Sequence, residues 1–452
     1  MDELVKVKTG IPGFDEIMNG GIVKNSIVLL AGHPGSGKST FGAQFIYSGA
    51  LHHGEPGIYV SFAENRSEFY RNMRTIGLDF DRLDEKDFRF IEALTIADKE
   101  ALDAIATSIL ETADEISAKR LVIDSITALI ALLREKEVRS FLHSTLTRIA
   151  KSMGLTTILI ADMPIGATTI GHGVEEFIVD GVIVLELTSL RGLTRRLLRI
   201  KKMRGVLIPH SAYEFIITDR GVRLYVPLEP MLSGSIGRKR LSTGIPELDK
   251  MLGGGLRKGS ITLVSGPSGT GKTMIALMFC IEGIISGERV VYLSYEESAE
   301  QLKNVIRDMK FDLGKLEDNL KIVSYSPQKL TPGLHYEFFR KIHDEFGPSR
   351  LVVDGLGALE RHYGREEFLE VARNFALLSK AKGTTVVMTA LKNLVGGEIA
   401  ELSTIADNII ALWFEREKDE IKRRITILKE RGSTHDKRIR SMDFKEGRVI
   451  IW

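Results

Sequence analysis

The chain has 452 residues, 43% hydrophobic and 27% charged, with a formal net charge of +2 and one cysteine, Cys280. That length exceeds one small core and suits two domains of roughly two hundred residues each. Charge alone argues for neither a nucleic-acid nor a membrane partner, the single cysteine excludes an intramolecular disulfide framework, and the absence of a long apolar run or a signal-like start predicts a cytoplasmic protein.

In chain order, the first predicted strand is SIVLLAG. It runs into Gly32-His33-Pro34-Gly35-Ser36-Gly37-Lys38-Ser39, which matches G-x-x-x-x-G-K-[ST] and leads into an apolar-periodic helix. Glycines in this pattern let successive backbone N–H groups turn toward a phosphate, the lysine reaches the β- and γ-phosphates, and the hydroxyl ligates Mg²⁺. Gly35, Ser36, Gly37, Lys38, Ser39 and Thr40 are therefore the expected nucleotide contacts, with Ser39 also a metal ligand. Further strands are predicted at GIYVSF, FRFIEA, RLVIDS, TTILIAD and DGVIVLEL. They are short apolar runs without clean alternation, as in a parallel sheet covered on both faces. Leu102, Ile105, Ile109, Ala113 and Ile116 recur at helical spacing and are expected to be core. The runs LTRRLLRIKKM, YEFIIT and VRLYV then predict an antiparallel extension.

A Pro/Gly/Ser-rich stretch at 230–237, followed by Arg238-Lys239-Arg240, reads as a linker between domains 1–232 and 233–452. Beyond it the pattern repeats. Thr9-Gly10-Ile11-Pro12 returns as Thr243-Gly244-Ile245-Pro246, and SIVLLAG as SITLVSG. The second phosphate loop, Gly266-Pro267-Ser268-Gly269-Thr270-Gly271-Lys272-Thr273, places its lysine 234 residues after the first (38 to 272). Its expected contacts are Gly269, Thr270, Gly271, Lys272, Thr273 and Met274, with Thr273 on the metal. Cys280 falls on the apolar face of the next helix and is expected to be a small buried hydrophobe. VVYLSYEES answers GIYVSFAEN, RLVVDGLGALE answers RLVIDSITALI, TTVVMTA answers TTILIAD, and Lys429-Glu430-Arg431-Gly432 answers Lys202-Met203-Arg204-Gly205. Alternating strands and helices with a β-rich end predict an α/β doubly wound domain built twice.

Each half supplies a carboxylate at the end of an apolar strand, Asp124 and Asp354, the expected second metal ligand. Glu296 and Glu297 follow VVYLSY, where a group that orients or deprotonates the attacking oxygen belongs. The matched first-half segment reads Phe62-Ala63-Glu64-Asn65, leaving Glu64 as the candidate there. The histidines, His52-His53 included, show no metal-ligand spacing.

With its duplicated loops, its T-G-I-P-x-x-D openings, the acidic pair and K-x-R-G near each end, the chain resembles the KaiC family of the RecA-like ATPases over almost its full length. The resemblance implies two tandem RecA-like P-loop NTPase domains, each with a mostly parallel sheet flanked by helices. It implies ATP/ADP and Mg²⁺ as cofactors and a homohexamer with nucleotide at each subunit seam. In that arrangement Lys202 and Arg204, and Lys429 and Arg431, reach a neighbour's phosphates. It also implies a second domain that phosphorylates itself, with Ser403 and Thr404 as acceptors; Phe177-Ile178-Val179 occupies the matching place in the first half. After Gly205 the chain reads Val206-Leu207-Ile208, whereas Ser433-Thr434-His435 follows Gly432, so the phosphate-touching Ser433 and His435 belong to the second half alone.

The chain ends at Ile450-Ile451-Trp452, where clock-associated members continue into a tail that recruits a stimulating partner. The expectation is thus a self-phosphorylating ATPase in signalling or regulation, of unassigned pathway and unidentified protein partner. The runner-up is a RecA-like DNA-dependent ATPase of recombination or repair. Near-neutral charge and the lack of a zinc or helix-hairpin-helix module count against it, and the basic runs Arg195-Arg196, Arg238-Lys239-Arg240 and Lys422-Arg423-Arg424 read as solvated faces. A third reading is a scaffold whose ring nucleotide merely locks.

Overall fold

Uninterrupted apolar runs become central strands because helices cover both sheet faces. The protein is described by a computed structural model that covers all residues except 1–3, 95–98, 129–144, 165–178, 209–211, 227–236, 238, 312–313, 315–316 and 392–399. Its contacts divide into two units, Met1–Val226 and Pro227–Trp452.

In the first unit a ribbon of β1 (Lys6–Val7) and β2 (Ile22–Val23) precedes the main sheet. That sheet uses β3 (Ile27–Gly32), β4 (Gly57–Ser61), β5 (Phe88–Glu92), β6 (Arg120–Asp124), β7 (Thr156–Asp162), β8 (Gly181–Leu190), β9 (Leu193–Met203), β10 (Tyr213–Thr218) and β11 (Gly221–Leu224). The spatial order is β11-β10-β9-β8-β3-β7-β6-β4-β5. The stretch from β8 through β5 is parallel, and the pairs β8–β9, β9–β10 and β10–β11 are antiparallel, which is the expected extension.

The second unit repeats the plan. β12 (Arg240–Leu241) and β13 (Leu256–Arg257) form its ribbon. Its main sheet is β14 (Ile261–Ser265), β15 (Val290–Ser294), β16 (Leu320–Ser324), β17 (Arg350–Asp354), β18 (Thr385–Ala390), β19 (Asn408–Glu417), β20 (Glu420–Glu430), β21 (Arg440–Lys445) and β22 (Arg448–Ile451), in the order β16-β15-β17-β18-β14-β19-β20-β21-β22.

β3, β4, β14 and β15 are buried at every residue. Leu102, Ile109, Ala113 and Ile116 are buried as the helical spacing predicted, in and just after the helix Lys99–Glu115, while Ile105 packs half-buried at its edge. Cys280 is buried, and desolvation pushes its thiol up to about 12, so it behaves as an inert hydrophobe.

A buried arginine ties each phosphate-loop helix to the sheet. Arg120 is 0% exposed; its guanidinium donates to Glu55 at 2.6 and 2.8 Å and to the Phe45 carbonyl at 2.6 Å, and lies 4.6 Å from the Phe45 ring centroid. Arg350 repeats this with Glu288, the carbonyls of Ser242 and Phe279, and the Phe279 ring at 4.7 Å. Gly49 and Gly283, in mid-helix, leave room for these stems, since a Cβ at either would overlap the arginine. Arginine suits the role because it stays charged while its planar donors satisfy several acceptors at once.

Removing one partner of such a buried pair strands the other. Arg350→Met is therefore expected to destabilise the second unit by about 3 kcal/mol in denaturant melts, while exposed Lys437→Met leaves the same transition unmoved.

Candidate nucleotide-binding sites

Each phosphate loop joins a buried strand to a long helix, Lys38–His53 or Lys272–Ile285. Neither helix has a side-chain cap, so its first N–H groups are left for an anion. Gly35 and Gly37 take φ of 73° and 103°, and Gly269 and Gly271 take 80° and 104°, the left-handed turns that aim successive N–H groups into one concavity. A Cβ at Gly37 would meet Ile217, and one at Gly271 would meet Phe444, so bulk is excluded there as well. Ser36 Oγ is buried in the first loop without a protein partner, as a phosphate-facing donor would be.

The loop lysines lie low in their cradles. Lys38 Nζ donates to the carbonyls of Gly32 and His33, each at 3.0 Å, and Lys272 Nζ donates to the carbonyl of Pro267 at 2.8 Å. Burial pushes Lys272 below its ordinary 10.5, and the carboxylates of Asp354 and Glu296 act against that fall.

The two metal-ligand candidates meet in both units. Thr273 Oγ1 donates to Asp354 Oδ2 at 3.1 Å, and Ser39 is hydrogen-bonded to Asp124. Two tyrosines that sequence reasoning left unassigned complete the pair: Tyr59 OH donates to Asp124 at 2.6 Å and Tyr292 OH to Asp354 at 2.7 Å. Burial first, and the adjacent aspartate next, hold both phenols well above 10.0, so they remain donors. Thr389 adds a third hydroxyl to Asp354. Among the described residues no group of three or more His, Cys, Asp or Glu could hold a metal. One hydroxyl and one carboxylate beside a phosphate cradle fit Mg²⁺, which keeps waters and takes phosphate oxygens for the remainder of its shell.

Ser61 on β4 is paired with Asp124, and Ser294 on β15 with Asp354. The glutamate turns therefore leave the same sheet edge as the metal pair. Ser61 Oγ accepts from the N–H of Ala63 at 3.4 Å and of Glu64 at 3.0 Å; Ser294 Oγ accepts from Glu296 at 3.4 Å and Glu297 at 2.9 Å. Glu64 is thus the counterpart of Glu297, and Ala63 stands where the second unit has Glu296. Burial, then Asp124 among the neighbouring charges, raises Glu64 above 4.5; burial, Asp354 and Glu296 raise Glu297.

The cations near the end of each unit are elsewhere. Lys202 pairs with Val182 and Lys429 with Ile409, close to the amino-terminal ends of β8 and β19, whereas the phosphate loops leave the carboxyl ends of the adjacent β3 and β14. A β-bulge at the matched place, with Lys201 and Leu428 as the extra residues, re-aims both lysines. Lys202 Nζ donates to the Val179 carbonyl at 2.8 Å, and Lys429 Nζ to the carbonyls of Ser403 and Ala406. Arg204 pairs with Asp180 at 3.0 Å and Arg431 with buried Asp407 at 3.4 Å. Ser433 Oγ accepts from Arg240 at 2.8 Å, and His435 Nδ1 is buried. Ser403 and Thr404 sit in the short helix Ala400–Ile405 that leads into β19, on this same amino-terminal edge; Phe177 and Ile178, at the matching place, lie outside the described residues.

Three arginines of the basic runs, Arg195, Arg240 and Arg423, are not the solvated groups expected. Arg195 pairs with buried Glu214 at 2.8 Å across the paired strands β9 and β10, and Arg240 of the β12–β13 ribbon pairs with Glu430 of β20 at 2.9 Å. Arg423 donates to the Gly269 carbonyl of the second phosphate loop at 3.3 Å and lies over the rings of Phe414 and Phe444. Its place against the loop is set by strand pairing, which no local signal in the run discloses.

Carboxyl titrations by ¹³C NMR are expected to place Glu64 and Glu297 above 4.5. Their charged forms are disfavoured on folding, so the cost to stability is present above the raised values and gone below 4.5. Glu296→Gln removes a like charge and is expected to shift Glu297 downward.

The family model described as "ATPase: KaiC" matches residues 7–229 and again residues 241–452. The chain is 32% identical to the circadian clock oscillator protein KaiC of Acaryochloris marina over 98% of its own length and 88% of the relative's. Against the protein of that name from Parathermosynechococcus lividus it is 33% identical, covering 96% and 83%. Against that from Synechococcus elongatus it is 32% identical, covering 97% and 87%. These matches are to KaiC proteins, and nothing in them favours a DNA-dependent ATPase. No described helix is long and apolar enough to cross a membrane. The chain is a two-lobe ATP-binding ATPase that belongs to the KaiC family.

Proposed function

We propose that this chain works as a ring of identical subunits, a hexamer, that hydrolyses Mg·ATP in signalling or regulation and phosphorylates itself on Ser403 and Thr404. The observation that carries this reading is the division of each sheet between its two edges. The phosphate loop, the hydroxyl–aspartate pair and the raised glutamate leave the carboxyl edge. Lys202 and Arg204, or Lys429 and Arg431 with Ser403 and Thr404, lie at the amino edge. β14 alone separates the two edges by about 13 Å at the usual rise per residue. The amino-edge groups therefore serve a nucleotide other than their own unit's, and a neighbouring subunit in a ring is the arrangement that supplies one.

In this reading Ser39 and Asp124, or Thr273 and Asp354, hold Mg²⁺, which when bound neutralises charge between the phosphates. Lys38 and Lys272 draw the γ-phosphate into the cradle, and the neighbour's Arg204 or Arg431 neutralises charge that develops on it. Glu297 accepts the proton as a water or a neighbour's Ser403 or Thr404 hydroxyl oxygen bonds to the γ-phosphorus, while the bond to the β-phosphate oxygen breaks and ADP leaves. Its raised pKa suits a base that must release that proton again near neutral pH. Glu64 does the same for water in the first unit. Thr404 is exposed and Ser403 half-buried, so both residues reach a surface. A phosphate added there would meet Lys429, Arg431 and Lys380, which already surround Asp407.

Intact-mass spectrometry after incubation with Mg·ATP tests this directly. Lys272→Ala is expected to abolish phosphate incorporation, whereas Lys38→Ala chiefly weakens ring assembly in native mass spectra. Co-assembly of Lys272→Ala with a Ser403→Ala/Thr404→Ala chain should restore phosphate on the Lys272→Ala subunits alone. A mixed ring that stays unphosphorylated while both parents assemble would sink transfer between subunits.

A further inference from the structure

The first unit carries a carboxylate in its phosphate site that the second lacks. Asp162 closes β7 beside Gly32 of the phosphate-loop strand. Its Oδ1 pairs with Lys38 Nζ at 2.9 Å, with the lysine side chain 7% exposed and the aspartate 42%. Its Oδ2 accepts from Ser125 Oγ at 3.0 Å, and its backbone N–H donates to Thr127 Oγ1 at 2.7 Å. The matched strand of the second unit ends in Ala390, so nothing at that position opposes Lys272. The second unit instead has Glu296, whose charge acts on Lys272, where the first has Ala63. The two units thus hold equal numbers of acidic groups, differently placed: Glu64, Asp124 and Asp162 against Glu296, Glu297 and Asp354.

We propose that Asp162 is a positioning residue of the first nucleotide site, a resident counter-ion that holds Lys38 and that incoming phosphates must displace. This rests on Lys38 being the phosphate lysine of that site. The lysine is partnered from three sides before nucleotide arrives, by two carbonyls and a carboxylate. To meet a β- or γ-phosphate it must leave Asp162, and Ser125 and Thr127 then keep the freed carboxylate close to the phosphate charge. The first site consequently binds nucleotide more weakly than its loop alone would, and the second site, with alanine at this position, escapes that competition.

The test uses the full chain carrying Lys272→Ala, so that only the first site takes up a fluorescent ADP analogue in Mg²⁺ buffer. Asp162→Asn keeps the shape and a partner for Ser125 but not the charge, and is expected to tighten binding roughly two- to fivefold, the range of a partly exposed ion pair. Asp162→Glu restores the parental affinity. A structural defect would weaken binding together with thermal stability, so tightening separates the two roles. The reciprocal Ala390→Asp, placed in a Lys38→Ala chain, is expected to weaken binding at the second site by a similar factor. Unchanged or weaker binding in Asp162→Asn overturns the proposal. Absence of binding in the Lys272→Ala parent itself overturns the reading of Lys38, a result distinct from the first.

Discussion

One buried carboxylate organises each unit. Asp354 closes a central strand, is 4% exposed, and is held by hydroxyls from the phosphate-loop helix, from β15 and from β18. An anion at that depth is tolerable only when donors surround it, and here they come from three different elements. Satisfying the aspartate therefore fixes the loop helix against the sheet, which sets where the lysine and the glycine-turned N–H groups point. Asp124 does the same with Ser39 and Tyr59. Fold and site share one hydrogen-bond cluster, and the buried Arg120 and Arg350 stacks clamp the same helices further along.

On the proposed reading, each unit is built with two functional edges. Parallel strands place every phosphate-binding loop at their carboxyl ends, as open α/β sheets do. The antiparallel hairpin returns the chain to the opposite edge, and the matched bulge there turns Lys202 and Lys429 onto the loop before β8 or β19. Duplication of a bulge is hard to attribute to packing alone, since an extra residue interrupts the ladder in both copies. On the proposed reading, the bulge aims the cations at a neighbour's nucleotide and makes assembly a condition of chemistry.

The two copies have diverged where chemistry is most sensitive to charge. The glutamate turn kept its geometry, down to the serine hydroxyl that caps it, while Ala63 took one acidic place. A carboxylate reappears two strands away at Asp162, in direct contact with the lysine. The second unit has instead a longer set of partners around Asp407, including Lys380, next to the hydroxyl-bearing helix. Similar frames thus carry different charge layouts.

Much was legible in the order of residues. Glycines at Gly35, Gly37, Gly269 and Gly271, with Lys38 and Lys272 after them, disclose a phosphate cradle because few other side chains permit that backbone path. Unalternating apolar runs disclose buried parallel strands, and the repeat disclosed two domains. What the order of residues could not decide is which distant groups meet. The pairing of Ser61 with Asp124, the equivalence of Glu64 with Glu297, the Lys38–Asp162 contact, the tyrosine donors and the seat of Arg423 against Gly269 all depend on strand order and register. Those are set by packing across the whole sheet rather than by neighbours in sequence, so only the tertiary structure could place them.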